Sequence, residues 1–400
     1  MARPSLENGA QVVLERAALQ HLLDALRQRG YRVVGPTVRE NAVVFDEVAR
    51  LEDLPIGWTD EQGAGTYRLK KQSDKTRFGA VVLSVDGVAS EKTAGPSGQT
   101  IFGYATGPQS LKKFLHPAEI CVWKAKRRGR GFEPQTTGAD VSKLALFGVR
   151  ACDLQTIAVL DRVLMNGGHA DSAYKARREK VFVVAVNCAR AGGTCFCASM
   201  KTGPKATHGF DLAMTEVLDG KRHYFVVEVG SKAGAAVLSG LPHAPAQKAE
   251  REAAARVVTE AAQQMGRQLD VAGIKELLYR NYEHPRWDDV AARCLTCGNC
   301  TMVCPTCFCN TIEDATDIAG TEARRVRKWD SCFTLAFTYT HFGNIRMSPR
   351  SRYRQWLTHK LGWWVDQFDM FGCVGCGRCI AWCPAKIDLT EEVSKVVASG

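Results

Sequence analysis

Cys294, Cys297, Cys300 and Cys304, the last followed by Pro305, are spaced C-x2-C-x2-C-x3-C-P, and Cys373, Cys376, Cys379 and Cys383 with Pro384 repeat that spacing nearer the C-terminus. No other feature constrains the fold as tightly, because eight thiols at fixed intervals commit the backbone to tight loops around whatever they bind. The chain carries 16 cysteines in 400 residues. In a short secreted chain that number would suggest disulfides; in one this long, with no export signal, metal binding or redox chemistry is the expectation. The N-terminus Met1-Ala2-Arg3-Pro4 leads into an amphipathic segment, and the longest apolar runs, such as Val181 to Val186, fall well short of the roughly 18 residues of a membrane helix. A cytoplasmic protein with no membrane span is expected.

Thiolates three positions apart can wrap three irons of one cube, while the cysteine before proline starts a departing segment and reaches the other cube. The doubled run therefore predicts two 4Fe-4S clusters. One is assigned to Cys294, Cys297, Cys300 and Cys383, the other to Cys373, Cys376, Cys379 and Cys304. Structural zinc also uses C-x2-C pairs, but it needs only four ligands, and the repeated triple run is far more specific to iron-sulfur. Gly298 and Gly377 suit loops that turn tightly around a cluster, although zinc knuckles use glycine similarly.

A composition of 45% hydrophobic and 24% charged residues is ordinary for a globular chain of two or three domains. Leu19, Leu22, Leu23 and Leu26 predict a helix from about Val12 to Arg29, stopped by Gly30 and followed by a strand over Tyr31 to Val34. Strand-like pieces fill the region from Val43 to Gly107, Ala80 to Val85 being the clearest. Leu144 to Val149, Asp153 to Leu164 and Val181 to Val186 read as a strand, helix and strand of a parallel sheet. The predicted fold class is an α/β N-terminal domain, 1–245, followed by a mainly helical dicluster domain, 246–400. The long stretch between the two cysteine runs resembles the alpha-helical ferredoxin domain of respiratory iron-sulfur subunits.

Ligands in such α/β sheets gather beyond the carboxyl ends of the strands, where Cys152 and Cys188 both fall. Cys195 and Cys197 follow in a loop with Gly192 and Gly193, so four thiols could converge there. They form either a third 4Fe-4S site or a set of buried thiols, with a redox-active Cys195 and Cys197 pair as a variant. Cys121 is read as a small buried hydrophobe. Cys307, Cys309 and Cys332 make only three ligands and are assigned no site.

Neither G-x-G-x-x-G nor G-x4-G-K-[ST] occurs, so any nicotinamide or flavin is expected on a partner. No catalytic constellation stands out. His169, His208 and His341 are read as surface or satisfied core residues. The net charge of +11 includes Arg324, Arg325, Arg327, Lys328, Arg346, Arg350, Arg352 and Arg354 between the runs. This stretch reads as a solvated helix face, suited to steering an acidic redox partner rather than to binding nucleic acid, for which no motif is present. Trp329, Tyr353, Trp356, Trp363 and Trp364 are read as core.

Taken together, Gly148-Val149-Arg150-Ala151-Cys152-Asp153-Leu154, Gly192-Gly193-Thr194-Cys195-Phe196-Cys197, Cys304-Pro305-Thr306-Cys307-Phe308-Cys309, Trp329-Asp330-Ser331-Cys332 and Cys373-Val374-Gly375-Cys376-Gly377-Arg378-Cys379 resemble a known family. It is the beta subunit of soluble sulfhydrogenases, the NAD(P)-linked nickel-iron hydrogenases, and is similar to the A-type component of anaerobic sulfite reductase. The resemblance spans most of the chain. It implies a non-catalytic electron-transfer subunit between a flavin subunit that binds FAD and NAD(P)H and a catalytic partner. That partner is the hydrogenase small and large subunit pair or, in the alternative, a sirohaem protein. A self-contained iron-sulfur reductase is a further alternative.

Overall fold

The computed structural model describes residues 6–72, 82–83, 89–90, 100–135, 141–220 and 222–398. Leu144–Val149 and Val181–Val186 lie side by side and parallel in the middle of an eight-stranded sheet. Both are wholly apolar because both faces of the sheet are covered. Ala145, Phe147, Phe182, Val184 and Val186 join a core with Leu19, Leu22, Leu23 and Leu26, whereas Leu146, Val183 and Ala185 join a second with Leu154, Ile157, Leu160 and Tyr174. The helix between the two strands is Ala151–Leu164, so the expected strand, helix and strand unit is present. Arg32–Arg39 and Leu212–Asp219 flank this pair in parallel. Ala42–Glu47, Arg222–Val229, Gln11–Glu15 and Ala244–Pro245 complete the sheet by antiparallel pairing.

The first helix starts later than its leucine spacing suggested. It spans Leu19–Gln28 and ends at Gly30, whose φ of 80° lets Tyr31 N–H reach the Leu26 carbonyl at 3.2 Å. Gln11–Glu15, expected inside the helix, is a strand against Arg222–Val229. Val12, Val13 and Leu14 are all buried there, and a short run with two β-branched residues is better accommodated in a ladder than in a helix with one apolar face. The strand expected over Ala80 to Val85 lies largely outside the described residues, with Val82–Leu83 paired to Ala89–Ser90.

Helices accompany the cysteine runs: Arg286–Arg293 precedes the first, Pro349–Thr358 lies between them, and Leu389–Ala398 follows the second. Of the basic residues between the runs, Arg350, Arg352 and Arg354 lie on the helix Pro349–Thr358, whereas Arg324, Arg325, Arg327 and Lys328 lie on a strand. Asn310–Thr316 and Glu322–Trp329 form a hairpin, and the second strand pairs with Glu119–Arg128 in a four-stranded sheet completed by Gly131–Gln135. Arg325 meets Asp314 at 2.7 and 2.8 Å and Lys328 meets Glu313 at 2.6 Å, so carboxylates across the hairpin neutralise charges that looked free in sequence. Cys121 sits exposed on Glu119–Arg128, contrary to its reading as a buried hydrophobe. Among the described residues no helix is long and apolar enough to cross a membrane.

Candidate metal centres

The two cysteine runs fold by the same local device. Thr296 and Gly375, each two residues after the first cysteine of its run, have φ of 51° and 63°. This left-handed turn aims the amide back at the sulfur: Thr296 N–H donates to Cys294 Sγ at 3.4 Å and Gly375 N–H to Cys373 Sγ at 3.5 Å. Gly298 and Gly377, with φ of 73° and 72°, then start the single helical turns Asn299–Met302 and Arg378–Ala381, which carry Cys300 and Cys379. Ile387 N–H donates to Cys383 Sγ at 3.4 Å.

Thiols gather across the two runs. Cys294, Cys297, Cys300 and Cys383 line one cavity with Cys379, Phe333, Trp356 and Ile387, and burial together with the neighbouring thiols raises Cys294 and Cys300. Burial, and after it neighbouring thiols that include Cys304, raise Cys373, Cys376 and Cys379, whereas Cys304 itself is held low by a hydrogen bond from Cys307 and by the ammonium of Lys360. Burial pushes Cys300 and Cys379 well above the usual thiol range and Cys373 up to about 12, so metal binding must displace protons from these sulfurs. Among the described residues no three His, Cys, Asp or Glu side chains converge as around one ion. A cube takes its thiolates at separate irons, so ligands spaced around a cavity suit it, and the donor set fits the clusters that the spacing calls for.

The structure also brings together Cys152, Cys188, Cys195 and Cys197. Cys152 opens the helix Ala151–Leu164, Cys188 follows the strand Val181–Val186, and the loop beyond returns Cys195 and Cys197 to them. Cys197 feels Cys188 and Cys195, and Cys152 feels Cys197; burial pushes all four thiols up, Cys195 to about 12. Beside Cys188 lies the guanidinium of Arg150, 2% exposed, which donates to the carbonyls of Phe102 at 3.0 Å and Tyr104 at 2.6 Å. Its Nε has no hydrogen-bond partner, an orphaned donor that an anionic group on these thiols would satisfy.

This set abuts the second run. Phe196 N–H donates to the Gly375 carbonyl at 2.9 Å, and a Cβ on Gly375 would stand 2.7 Å from the Cys197 backbone. Arg378, between Cys376 and Cys379, donates to both carboxylate oxygens of Asp153 at 2.9 and 3.0 Å, with both side chains 1% exposed. Asp153, Arg150 and Arg378 stand inside the sequence motifs, which give them no role of their own, although each lies within two residues of a cysteine assigned as a ligand.

The three unassigned cysteines are not scattered. Cys307 lies against Cys304, and Cys309 against Cys332, whose thiol hydrogen bond lowers Cys309 to about 7. Two buried lysines flank this segment. Lys112 Nζ donates to the Cys307 carbonyl at 3.0 Å and sits 3.8 Å above the Trp329 ring, while Lys360 Nζ lies 3.2 Å from Cys304 Sγ. Lys360 occupies the π-helical turn His359–Trp363, for which the sequence offered no signal. His169, His208 and His341 are exposed, and of the five aromatics read as core Tyr353, Trp356 and Trp364 are buried, Trp329 and Trp363 half-buried.

Cluster-spaced thiol runs with amides aimed at their sulfurs, carried beside an α/β sheet, define an iron-sulfur electron-transfer protein. A family model for a 4Fe-4S dicluster domain matches residues 293–387. Sulfhydrogenase 2 subunit beta of Pyrococcus furiosus is 33% identical over 257 residues, which cover 64% of this chain and 74% of that protein. The chain belongs to the sulfhydrogenase beta-subunit family.

Proposed function

We propose that the chain is the electron-transfer subunit of a multi-subunit oxidoreductase, linking an NAD(P)H-binding flavin subunit to a nickel-iron hydrogenase small and large subunit pair. The observation that carries this reading is the crossed gathering of thiols, with a further set packed directly against the second run. In this proposal Cys294, Cys297, Cys300 and Cys383 hold one 4Fe-4S cluster, Cys373, Cys376, Cys379 and Cys304 a second, and Cys152, Cys188, Cys195 and Cys197 a third. The division of the chain near 245 into an α/β part and a ferredoxin part belongs to the same reading.

Bound clusters supply one-electron carriage at potentials set by hydrogen bonds to sulfur, local charge and exposure. The chain's own residues provide those controls. The amides of Thr296, Gly375 and Ile387 donate to cysteine sulfurs, while Arg150 and the Asp153–Arg378 pair bring buried charge to the α/β set. Cys297 is exposed beside Leu295, itself 65% exposed, which leaves the first set nearest to solvent and to a docking partner. The absence of nucleotide fingerprints supports a flavin on another subunit. The relative's name, a sulfhydrogenase subunit, favours a hydrogenase over a sulfite reductase as the catalytic partner.

The purified full chain, reconstituted with iron and sulfide, is expected to carry about twelve irons and to turn over neither hydrogen nor NAD(P)H in dye-linked assays. Turnover of either substrate without partners would overturn the relay reading.

A further inference from the structure

Lys360 is an unusual ammonium. It is 5% exposed, and its three donors go to Cys304 Sγ at 3.2 Å, Thr306 Oγ1 at 3.2 Å and the Gly372 carbonyl at 3.4 Å. No Asp or Glu among the described residues pairs with it. A buried ammonium without a carboxylate partner carries a heavy desolvation cost and persists where another negative charge stands beside it. Two of its contacts locate that charge. Cys304 belongs to the second thiol set, and Gly372 immediately precedes Cys373 of the same set, so the ammonium bridges the two chain segments that meet there. The π-helical turn His359–Trp363 supplies the geometry, because one extra residue in the turn redirects a side chain that regular α-helix would place elsewhere.

We infer that Lys360 is a positioning residue that holds Cys304 against the Cys373 run and raises the reduction potential of the cluster bound there. The inference rests on the crossed ligand assignment proposed above. A reduced cluster carries one more negative charge than an oxidised one, so an ammonium hydrogen-bonded to a ligand sulfur stabilises the reduced form more. Lys112 provides the contrast. It is equally buried, but its Nζ is directed to the Cys307 carbonyl and the Trp329 ring rather than to a sulfur of the set.

The test is a redox titration of the full reconstituted chain followed by electron paramagnetic resonance, with the second cluster's signal identified beforehand by its loss in Cys376→Ala. Lys360→Met and Lys360→Gln are expected to lower the ratio of reduced to oxidised second cluster about tenfold at fixed poise, equivalent to about 59 mV for one electron. Lys360→Arg, which retains the charge, is expected to recover most of that ratio. Loss of the second cluster from both neutral variants with retention in Lys360→Arg supports the same role for the charge. An unchanged ratio in either neutral variant, or loss of the cluster in all three, overturns it. If instead the neutral variants shift the cluster of the Cys294 run, Lys360 still acts on the ligand Cys304 and it is the crossed assignment that fails.

Discussion

Asp153 and Arg378 illustrate how much single residues carry in this molecule. The pair is wholly buried and joins the first turn of an α/β helix to the second cysteine run. Removing one partner strands the other charge, so Asp153→Ala is expected to cost about 3–5 kcal/mol, whereas Asp153→Leu combined with Arg378→Met recovers most of the loss. Denaturant titration of the single and double variants checks this; equal losses in both would show that the charges themselves are not the issue. The cysteines preceding proline make a second test. Cys304→Ala and Cys383→Ala are each expected to damage the cluster bound mainly by the opposite run, which paramagnetic resonance of the reduced variants reports. A third concerns His116, wholly buried and stacked on Trp329, whose pKa burial lowers to about 4. Its folded value lies below the unfolded value of about 6.5, so the stability it supports is full above pH 6.5 and is lost as pH falls toward 4. By pH 5 the loss amounts to about 2 kcal/mol, and His116→Phe is expected to flatten this part of the stability profile.

At the scale of elements, the α/β sheet and the ferredoxin runs are joined by contacts that tolerate no extra atom. The loop carrying Thr194, Phe196 and Cys197 lies so close to the second run that a Cβ on Gly377 would stand 2.3 Å from the Thr194 carbonyl, and one on Gly375 2.7 Å from Cys197. Both glycines also have φ above 60°. Gly375→Ala therefore combines backbone strain with a clash and is expected to disturb the Cys373 and Cys197 thiol sets together. Iron content and the resonance spectrum of that variant check it; loss confined to the Cys373 set would mean that the contact transmits nothing. The hairpin Asn310–Thr316 and Glu322–Trp329 makes a second join, since it completes a sheet begun by Glu119–Arg128 nearly two hundred residues earlier in the chain.

On the scale of the whole molecule, the first two thiol sets border one apolar core and the third lies in a smaller cluster shared with Val374 and Cys376, with the first set nearest to solvent and the third beside the central strands. The third set is the one to count. In the full chain Cys152→Ala or Cys197→Ala is expected to reduce the iron content from about twelve to about eight while leaving the resonance of the Cys294 set intact. An unchanged iron content would return these four residues to the reading of buried thiols. The intact chain is the proper material, because Val374 and Cys376 pack against Cys152 and Cys197, so a fragment ending near residue 245 would lack one wall of the site.

The sequence by itself determined the two cysteine runs and the parallel unit that carries Cys152 and Cys188. Each is a short-range pattern: a fixed thiol interval, or an apolar run whose burial on both faces is written into its composition. The tertiary structure alone decided the rest. Arg324 to Lys328 became a strand because the carboxylates that neutralise them stand across a hairpin and the strand that completes the sheet comes from a distant part of the chain, neither of which a local period reveals. Val12 to Leu14 became a strand for the same reason, their partners lying at Phe225 to Val227. Lys360 had no signature at all. Its importance comes from one π-helical turn that swings a buried ammonium onto Cys304, a contact that spacing along the chain cannot encode because it depends on where two separate loops meet.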